Sequence, residues 1–283
     1  TLGLSAVLRG DYAAARPYLE QSLAVAREAC ARSSIARALG MLSMLVRRQG
    51  DYPAAQSLEQ ERLALVRELG DTHGTAAVLT RLFHLANDQG DVIAASLLAD
   101  QIMAAAREAG DRSSLAHATY AAGIVAARRG DHGLARRRFG ECLAHHKERG
   151  NRGMEAQVLH DIGWVAFREG DVATARAHFA GSLALWRDMG DVPGILQSLE
   201  GVASVAAAQG QPDRAARLLG AIEALSATIG HRWRHPGARD YERDLAAARA
   251  APGEPACAAV RAAGRALTLE RAIAEALDER SQS

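Results

Sequence analysis

The chain has 283 residues with 34 basic and 33 acidic side chains, and a net charge of +1 provides no overall positive field for nucleic acid. It contains no run of 18 apolar residues that would span a membrane, and Cys30, Cys142 and Cys257 are too few and too far apart for a disulfide framework or a zinc site. These features predict a cytoplasmic protein that contacts neither nucleic acid nor membrane directly.

Glycine recurs at 20-residue intervals and is usually followed by aspartate. The glycines stand at 10, 50, 70, 90, 110, 130, 150, 170, 190, 210 and 230, and Cys30 replaces one of them. Glycine adopts the positive φ found just past a helix end, and aspartate accepts the first N–H groups of a helix. Each Gly-Asp pair is therefore predicted to end one helix and begin the next, which leaves helices of about 17 residues, roughly 25 Å long.

The complete repeat is 40 residues and contains two helices, which we name A and B. Alanine stands five residues after the glycine between A and B, at 15, 55, 95, 135, 175 and 215, where a methyl group lets the helices approach. Large apolar residues mostly follow nine and thirteen residues after that glycine, on the predicted buried face of helix B. Glu59 and Glu223 interrupt this face, and we expect them to weaken their repeats.

Residues 156–189 carry the pattern most fully: apolar positions and a glycine before the turn, then alanine, an aromatic residue and leucine after it. These residues are Leu159, Ile162, Gly163, Gly170, Asp171, Ala175, Phe179 and Leu183. The pattern resembles the tetratricopeptide repeat (TPR), with helix B lengthened beyond the common form of about 34 residues. The resemblance covers residues 1–230.

This resemblance implies an all-α fold, namely a right-handed, TPR-like superhelical solenoid of 40-residue helix-turn-helix repeats. About six helical hairpins fit into the chain, and the first is truncated because residue 1 falls inside a helix A. We therefore expect the sequence to be part of a longer polypeptide.

The 20-residue period ends after Gly230, and a different helical pattern follows. We expect, in order, a loop at 231–236, a helix over about 238–250, a break at 252–255, a short helix to Ala263 and a last helix capped by Thr268. A solenoid needs a cover for its last apolar face. The predicted domains are accordingly a TPR-like solenoid over 1–230 and capping helices over 231–283.

The segment "YERDLAAARAA…GRALTLERAIAEAL" resembles the end of the TPR region in large bacterial regulators that combine a STAND-class NTPase, a TPR array and often a LuxR-type DNA-binding domain. Cys257 and Arg261 stand where that family has Phe and Trp. The resemblance implies that this chain is a sensor and assembly arm. Its partner would be another protein or the upstream NTPase domain of the same polypeptide, with a peptide or a small inducer as a further ligand.

No motif for catalysis, a cofactor or a metal occurs. The phosphate loop GxxxxGK[ST] and the motifs GxSxG, HExxH and CxxC are missing. His145 and His146 point about 100° apart on a helix, and Pro236 favours an irregular segment around His231 and His235. We expect a protein that is not an enzyme, with no catalytic residue, no cofactor and no metal site.

Helix A lines the concave face of a TPR superhelix, so the resemblance implies which side chains point into the groove. The candidates are aromatic, basic or polar: His84, His117, Tyr120, Arg128, His160, Trp164, Phe167, Arg168 and Glu200. Aromatic rings beside arginines hold a carboxylate, a flat ring or an acidic ligand. The alternative is that Trp164 and Phe167 pack between repeats as core, and helical position does not separate the two.

Two functions remain open at this point. One is a non-catalytic protein- or ligand-binding and assembly module, the sensor arm of a bacterial signalling or transcriptional regulator, in which an occupant of the groove shifts a population of superhelical states. The other is a constitutive oligomerisation scaffold without a small ligand, in which the open first repeat stacks on another copy.

Overall fold

The computed structural model of the chain describes residues 12–110, 112–229 and 254–277, and every regular element in these ranges is an α-helix. The helices are α1 (Tyr12–Glu28), α2 (Arg32–Arg48), α3 (Tyr52–Glu68), α4 (Thr72–Gln89), α5 (Val92–Ala109), α6 (Arg112–Arg128), α7 (His132–Glu148), α8 (Arg152–Arg168), α9 (Val172–Met189), α10 (Val192–Ala208), α11 (Pro212–Thr228), α12 (Glu254–Arg265) and α13 (Leu269–Ala276). The predicted all-α helical-repeat fold is confirmed. Helices α2, α4, α6, α8 and α10 are A helices, and the odd-numbered helices from α1 to α11 are B helices.

A residue in the left-handed conformation follows the helices of the repeats. The glycines from Gly50 to Gly210 at these positions have φ between 64° and 81°, and Cys30 has a φ of 49°. The next N–H turns back to the preceding helix, as where Asp51 N donates to Val46 O at 2.9 Å. This bond satisfies a carbonyl that has no partner within its own helix.

The residue after the glycine caps the next helix, as predicted for aspartate. One side-chain oxygen accepts the N–H three residues on, at 2.8 to 3.2 Å, in Asp51, Asp71, Asp91, Asp131, Asn151, Asp171 and Asp191. Gln211 and Ala31 make no such bond. The starts of α11 and α2 therefore lack a stabilising side-chain acceptor.

Helices A and B approach each other where a small residue on one faces a large residue on the other. A Cβ atom on Gly123 of α6 would lie 2.7 Å from the ring of Phe139 on α7. At the equivalent positions of α4 and α5, the large residue is on helix A and the small one on helix B. These residues are Phe83 and Ala99, and both are buried. The alanines predicted to allow close approach are 3 % exposed or less: Ala15, Ala55, Ala95, Ala135, Ala175 and Ala215.

The chain divides into two compact units, and the boundary falls within α7. The first unit contains the described residues up to His145, and the second contains those from His146 onward. Consecutive helices from α1 to α6 and from α8 to α12 pack on each other, and α4 also contacts α6, as α8 contacts α10. The predicted division at residue 230 stays a prediction, and the loop and helix expected over 231–250 lie outside the described residues.

Helices α12 and α13 pack against the last repeat in the second unit. Gly220 of α11 and Gly264 of α12 lie against each other's helix: a Cβ on Gly220 would meet the backbone oxygen of Arg261, and one on Gly264 would meet that of Arg217. The hydroxyl of Thr268 accepts the N–H of Arg271 at 3.3 Å. The Thr268-capped last helix agrees with the prediction. The short helix is present but runs over Glu254–Arg265, so it begins inside the predicted break at 252–255 and ends beyond Ala263.

Ion pairs attach these capping helices to α11. Glu223, which interrupts the apolar pattern of α11, accepts hydrogen bonds from Arg261 and Arg265 of α12. Arg214 donates to the backbone oxygen of Glu275 at 2.9 Å. Glu223 is therefore an attachment point for the cap, and the two departures from the apolar pattern, Glu223 and Arg261, satisfy each other.

The position of Cys30 predicts that Cys30→Gly raises the free energy of unfolding by about 0.5–1 kcal/mol. A residue with a Cβ atom in the left-handed region costs roughly 1–2 kcal/mol, and the greater entropy of glycine in the unfolded chain offsets part of the gain. Urea unfolding followed by circular dichroism measures the change. Gly170→Ala, at a φ of 81°, is the opposite substitution and should lower the midpoint, so equal midpoints for both variants would contradict this account.

The close crossing of α11 and α12 predicts that Gly264→Ala detaches the capping helices. Backbone atoms of α11 occupy the space of the added methyl group, so the helices must separate. Hydrogen exchange should show lost protection in α12 and α13, with α8 to α10 still protected. Gly140→Ala in α7, where a Cβ meets nothing within 4 Å, is the matched control and should stabilise the chain by up to about 1 kcal/mol. Unchanged protection in Gly264→Ala would contradict the role of the crossing.

Candidate binding face

All of the predicted binding residues lie on A helices, and we call the exposed sides of these helices the A-face. His84 lies on α4; His117, Tyr120 and Arg128 on α6; His160, Trp164, Phe167 and Arg168 on α8; and Glu200 on α10. The first four belong to the first unit and the other five to the second. Their role in binding stays a prediction.

In the first unit, Tyr120 is buried, while His84, His117 and Arg128 are half-buried. The centre of the Tyr120 ring lies 6.0 Å from that of His84 and 5.9 Å from that of Phe139. Tyr120 therefore connects the A-face to the core, and the two histidines and the arginine are the part that solvent reaches.

Polar side chains bridge the A helices of neighbouring repeats. Arg47 Nε of α2 donates to Asp88 Oδ2 of α4 at 2.6 Å. Arg128 of α6 donates to Asn87 of α4 through Nε to Oδ1 at 3.2 Å and through Nη2 to the backbone oxygen at 3.4 Å. Each bridge spans 41 residues, one repeat plus one position. Adjacent repeats of the first unit are thus linked on the A-face by hydrogen bonds that arginine side chains donate.

Glu59 of α3 is fully buried and lies between two arginines. Arg62 Nη1 is 3.3 Å from Glu59 Oε2, and Arg81 Nε of α4 is 3.6 Å from Glu59 Oε1. Gly40 of α2 makes room for Arg62, since a Cβ there would lie 2.8 Å from Nη1. Burial raises the pKa of Glu59, although both arginines act in the opposite direction. Two guanidinium groups share one carboxylate, which leaves positive charge in excess at this place.

His84 lies within this positive region. Burial lowers its pKa well below the ordinary value, and the charges of Arg47, His117 and Arg81 lower it further. Its imidazole is therefore neutral at physiological pH, although it stands beside arginine side chains on the A-face.

In the second unit, the aromatic residues pack around a buried phenylalanine. The ring centre of Phe179 on α9 lies 5.4 Å from that of His160 and 5.3 Å from that of Trp164. Trp164 Nε1 donates to His160 Nε2 at 2.9 Å, so that imidazole is neutral with its proton on Nδ1. A Cβ on Gly163 of α8 would lie 2.8 Å from the Phe179 ring, and one on Gly201 of α10 would also meet this ring.

The exposure of these side chains differs from what a groove requires. His160 and Glu200 are each 1 % exposed. Trp164 and Phe167 are half-buried and pack against the hydrophobic core of the second unit, whereas Arg168 is exposed. The indole and phenyl rings thus serve the packing between repeats and expose only part of their surface on the A-face.

Arg81 and its partner Glu59 are the charged residues that the sequence pattern did not single out for the A-face. Arg81 stands at a position of its A helix that the TPR resemblance does not mark as pointing into the groove. The sequence feature that could have indicated this ion pair is Glu59 itself, because a carboxylate on a buried helix face requires a nearby cation.

Neither a metal site nor a membrane helix is found in the described part of the chain. Within residues 12–110, 112–229 and 254–277, no group of three His, Cys, Asp or Glu side chains is placed to hold a metal ion. No helix in these ranges is long and apolar enough to cross a membrane.

Comparison with known proteins supports the repeat fold. Residues 1–68 match the family model described as tetratricopeptide repeat, which is less than half of the chain. No curated protein matches the sequence. The crystal structure of BtubC (BKLC) from P. vanneervenii is similar, with a TM-score of 0.52 and 18 % sequence identity over 80 % of this chain and 93 % of that chain. At this identity the likeness concerns the fold alone, and the chain is a helical-repeat protein with a TPR region.

The environment of His84 predicts that the chain loses stability as the pH falls from about 7 to about 5, and that His84→Gln loses less. The unfolded chain binds a proton near the ordinary histidine pKa, whereas the folded chain does so only at lower pH. The stabilising contribution of neutral His84 is therefore present above the ordinary pKa and disappears below it.

Urea unfolding at both pH values measures this effect, which we expect to reach up to about 1 kcal/mol for a half-buried group. The matched control is His73→Gln, at an exposed position near the start of the same helix, α4, and it should behave as the wild type. Equal pH dependence in the wild type and His84→Gln would contradict the assignment.

Proposed function

We propose that the chain is a non-catalytic protein-binding and assembly module, and that the A-face of its first unit receives an extended segment of a protein partner. The observation that carries this proposal is the concentration of half-buried polar and cationic side chains on adjacent A helices, with Arg47, Arg81, His84 and His117 along α2, α4 and α6. Helical repeats present extended surfaces of this kind to their partners. Polar groups arranged over an exposed helical stripe suit a peptide backbone and its side chains.

An extended segment fits better than a compact small inducer in the first unit. The crevice between Asn87, Val92, Ile124 and Arg128 has a volume of about 10 Å³, room for roughly one water molecule. Pockets that bury a small ligand usually enclose about 300–1,000 Å³. This comparison supports a protein segment as the principal occupant.

The proposed setting is the sensor and assembly arm of a bacterial signalling or transcriptional regulator in the cytoplasm. The resemblance of the C-terminal segment to STAND-class, LuxR-type regulators supports it, and the upstream NTPase domain is then the natural partner. The arginine bridges between A helices supply a mechanism, because a segment that competes for Arg47 or Arg128 shifts the spacing of neighbouring repeats.

The alternative is a scaffold that associates with itself, and one observation favours it. Ile93 and Leu97, one turn apart on α5, are 77 % and 60 % exposed. Light scattering over a concentration series tests this alternative. An Ile93→Ser, Leu97→Ser variant should remain monomeric at concentrations where the wild type associates.

The proposed function predicts that peptides selected by the full chain depend on the A-face. Random peptides of about twelve residues displayed on phage are selected against the wild type. Enriched sequences should lose most of their affinity for a variant with serine at Arg47, His84 and His117, all on A helices of the first unit.

The matched B-helix variant carries serine at His132, Arg137 and His178, so it likewise removes two histidines and one arginine, but from α7 and α9. It should bind the selected peptides as the wild type does. Failure to enrich any sequence, or equal loss in both variants, would count against the proposal.

A further inference from the structure

A more specific inference about the first unit rests on the proposed function. It concerns the side chains of Arg47, Arg81 and His84. We propose that these three side chains, which we call the cationic cluster, bind a carboxylate in an acidic segment of the partner, and that His84 takes up a proton when they do.

The geometry of the cluster leaves cationic groups available to a ligand. Arg81 Nε is 3.6 Å from Glu59 Oε1, and the same carboxylate also neutralises Arg62 at 3.3 Å. The Arg81 side chain is 37 % exposed and that of Arg47 is 32 % exposed. A carboxylate arriving from solvent therefore meets guanidinium groups that are partly desolvated and share their counter-ions.

The charge balance around His84 favours an acidic occupant. The titratable and charged groups around the cationic cluster come from four helices: Arg47 from α2, Glu59 and Arg62 from α3, Arg81 and Asp88 from α4, and His117 and Tyr120 from α6. Three arginines face two carboxylates in this set, before any histidine is protonated. An added carboxylate would balance the arginines, and a second would balance a protonated histidine.

His84 is positioned to respond to such a ligand. Its ring contacts Phe83 and Tyr120, with centres 5.6 and 6.0 Å away. Within the described ranges, no residue hydrogen-bonds to its nitrogens. A carboxylate beside the ring stabilises the imidazolium form, which the neighbouring arginines now oppose.

Binding of a carboxylate would therefore lead His84 to take up a proton. The bound carboxylate accepts a hydrogen bond from His84, and one proton moves from solvent to the free ring nitrogen, with no other bond made or broken. By linkage, a ligand that raises the proton affinity of His84 binds more tightly as the pH falls. The cationic cluster would therefore release an acidic segment as the pH rises.

The test uses the full chain and a tetramethylrhodamine-labelled peptide of about eight aspartates. The charge of this peptide changes little between pH 6 and pH 8, because free aspartate titrates near 3.9 and the label does not titrate in this range. Fluorescence anisotropy at constant ionic strength gives the Kd at both pH values. The wild type should bind about tenfold more tightly at the lower pH, the change that follows from one unit of pKa.

Three variants assign the effect to the cluster. His84→Gln should bind with one Kd at both pH values, close to that of the wild type at pH 8. Arg81→Gln should bind more weakly at both pH values, while His117→Gln should keep the pH dependence.

Binding without pH dependence in the wild type, or pH dependence retained in His84→Gln, would overturn the inference. Failure to bind the aspartate peptide, while phage-selected peptides still depend on the A-face, would overturn it and leave the proposed function standing. Failure of both experiments would overturn both.

Discussion

The fold depends on ending one helix and starting another within two residues, every 20 residues along the chain. The left-handed residue places the following N–H against a carbonyl of the finished helix, and the aspartate after it accepts an N–H of the new one. Both ends of a helix expose polar groups that burial would otherwise penalise. A glycine-aspartate pair satisfies one group at each end, and its constant spacing returns every helix to the same register against its neighbours.

Given that register, the size of a few side chains sets how closely the A helices lie. In the second unit, Phe179 contacts glycines on both flanking A helices, Gly163 of α8 and Gly201 of α10. In the first unit, the A helices are joined by hydrogen bonds from Arg47 and Arg128. Apolar packing of a ring between two glycines has one arrangement, whereas an arginine exchanges one acceptor for another at small cost. The first unit is therefore the part of the chain in which a ligand could most readily change the spacing of repeats.

Local sequence was sufficient to predict the helices of the repeats, where these helices end, and the alanines at the A–B contact. The turn glycines, the capping aspartates and the alanines at the A–B contact act within a few residues of their own position, so a single repeat is enough to interpret them. Cys30, which replaces a glycine of the series, also has the left-handed backbone conformation, because the surrounding helices impose it.

The burial of individual side chains and the pairing of charged residues were less predictable, because both depend on residues one or two helices away. His160 and Glu200 occupy helical positions that point toward the A-face, yet each is 1 % exposed. A helical wheel gives the direction of a side chain and not how far the neighbouring helices extend over it. The charge of Glu223 is likewise satisfied by Arg261, which lies 38 residues later in the sequence and on another helix.

The charged cluster at Glu59 is the feature that the architecture requires least. The equivalent positions of two later repeats hold Phe139 and Phe179, which are fully buried and fill the same space with apolar atoms. Burying a carboxylate between arginines stabilises a fold little, since desolvation offsets most of the attraction between the charges. A repeat that had only to pack would do so as well with the apolar residues used elsewhere in this chain. Glu59 instead places a carboxylate 3.6 Å from Arg81, at the edge of the A-face, and this is the position of Arg81 that the proposed carboxylate binding requires.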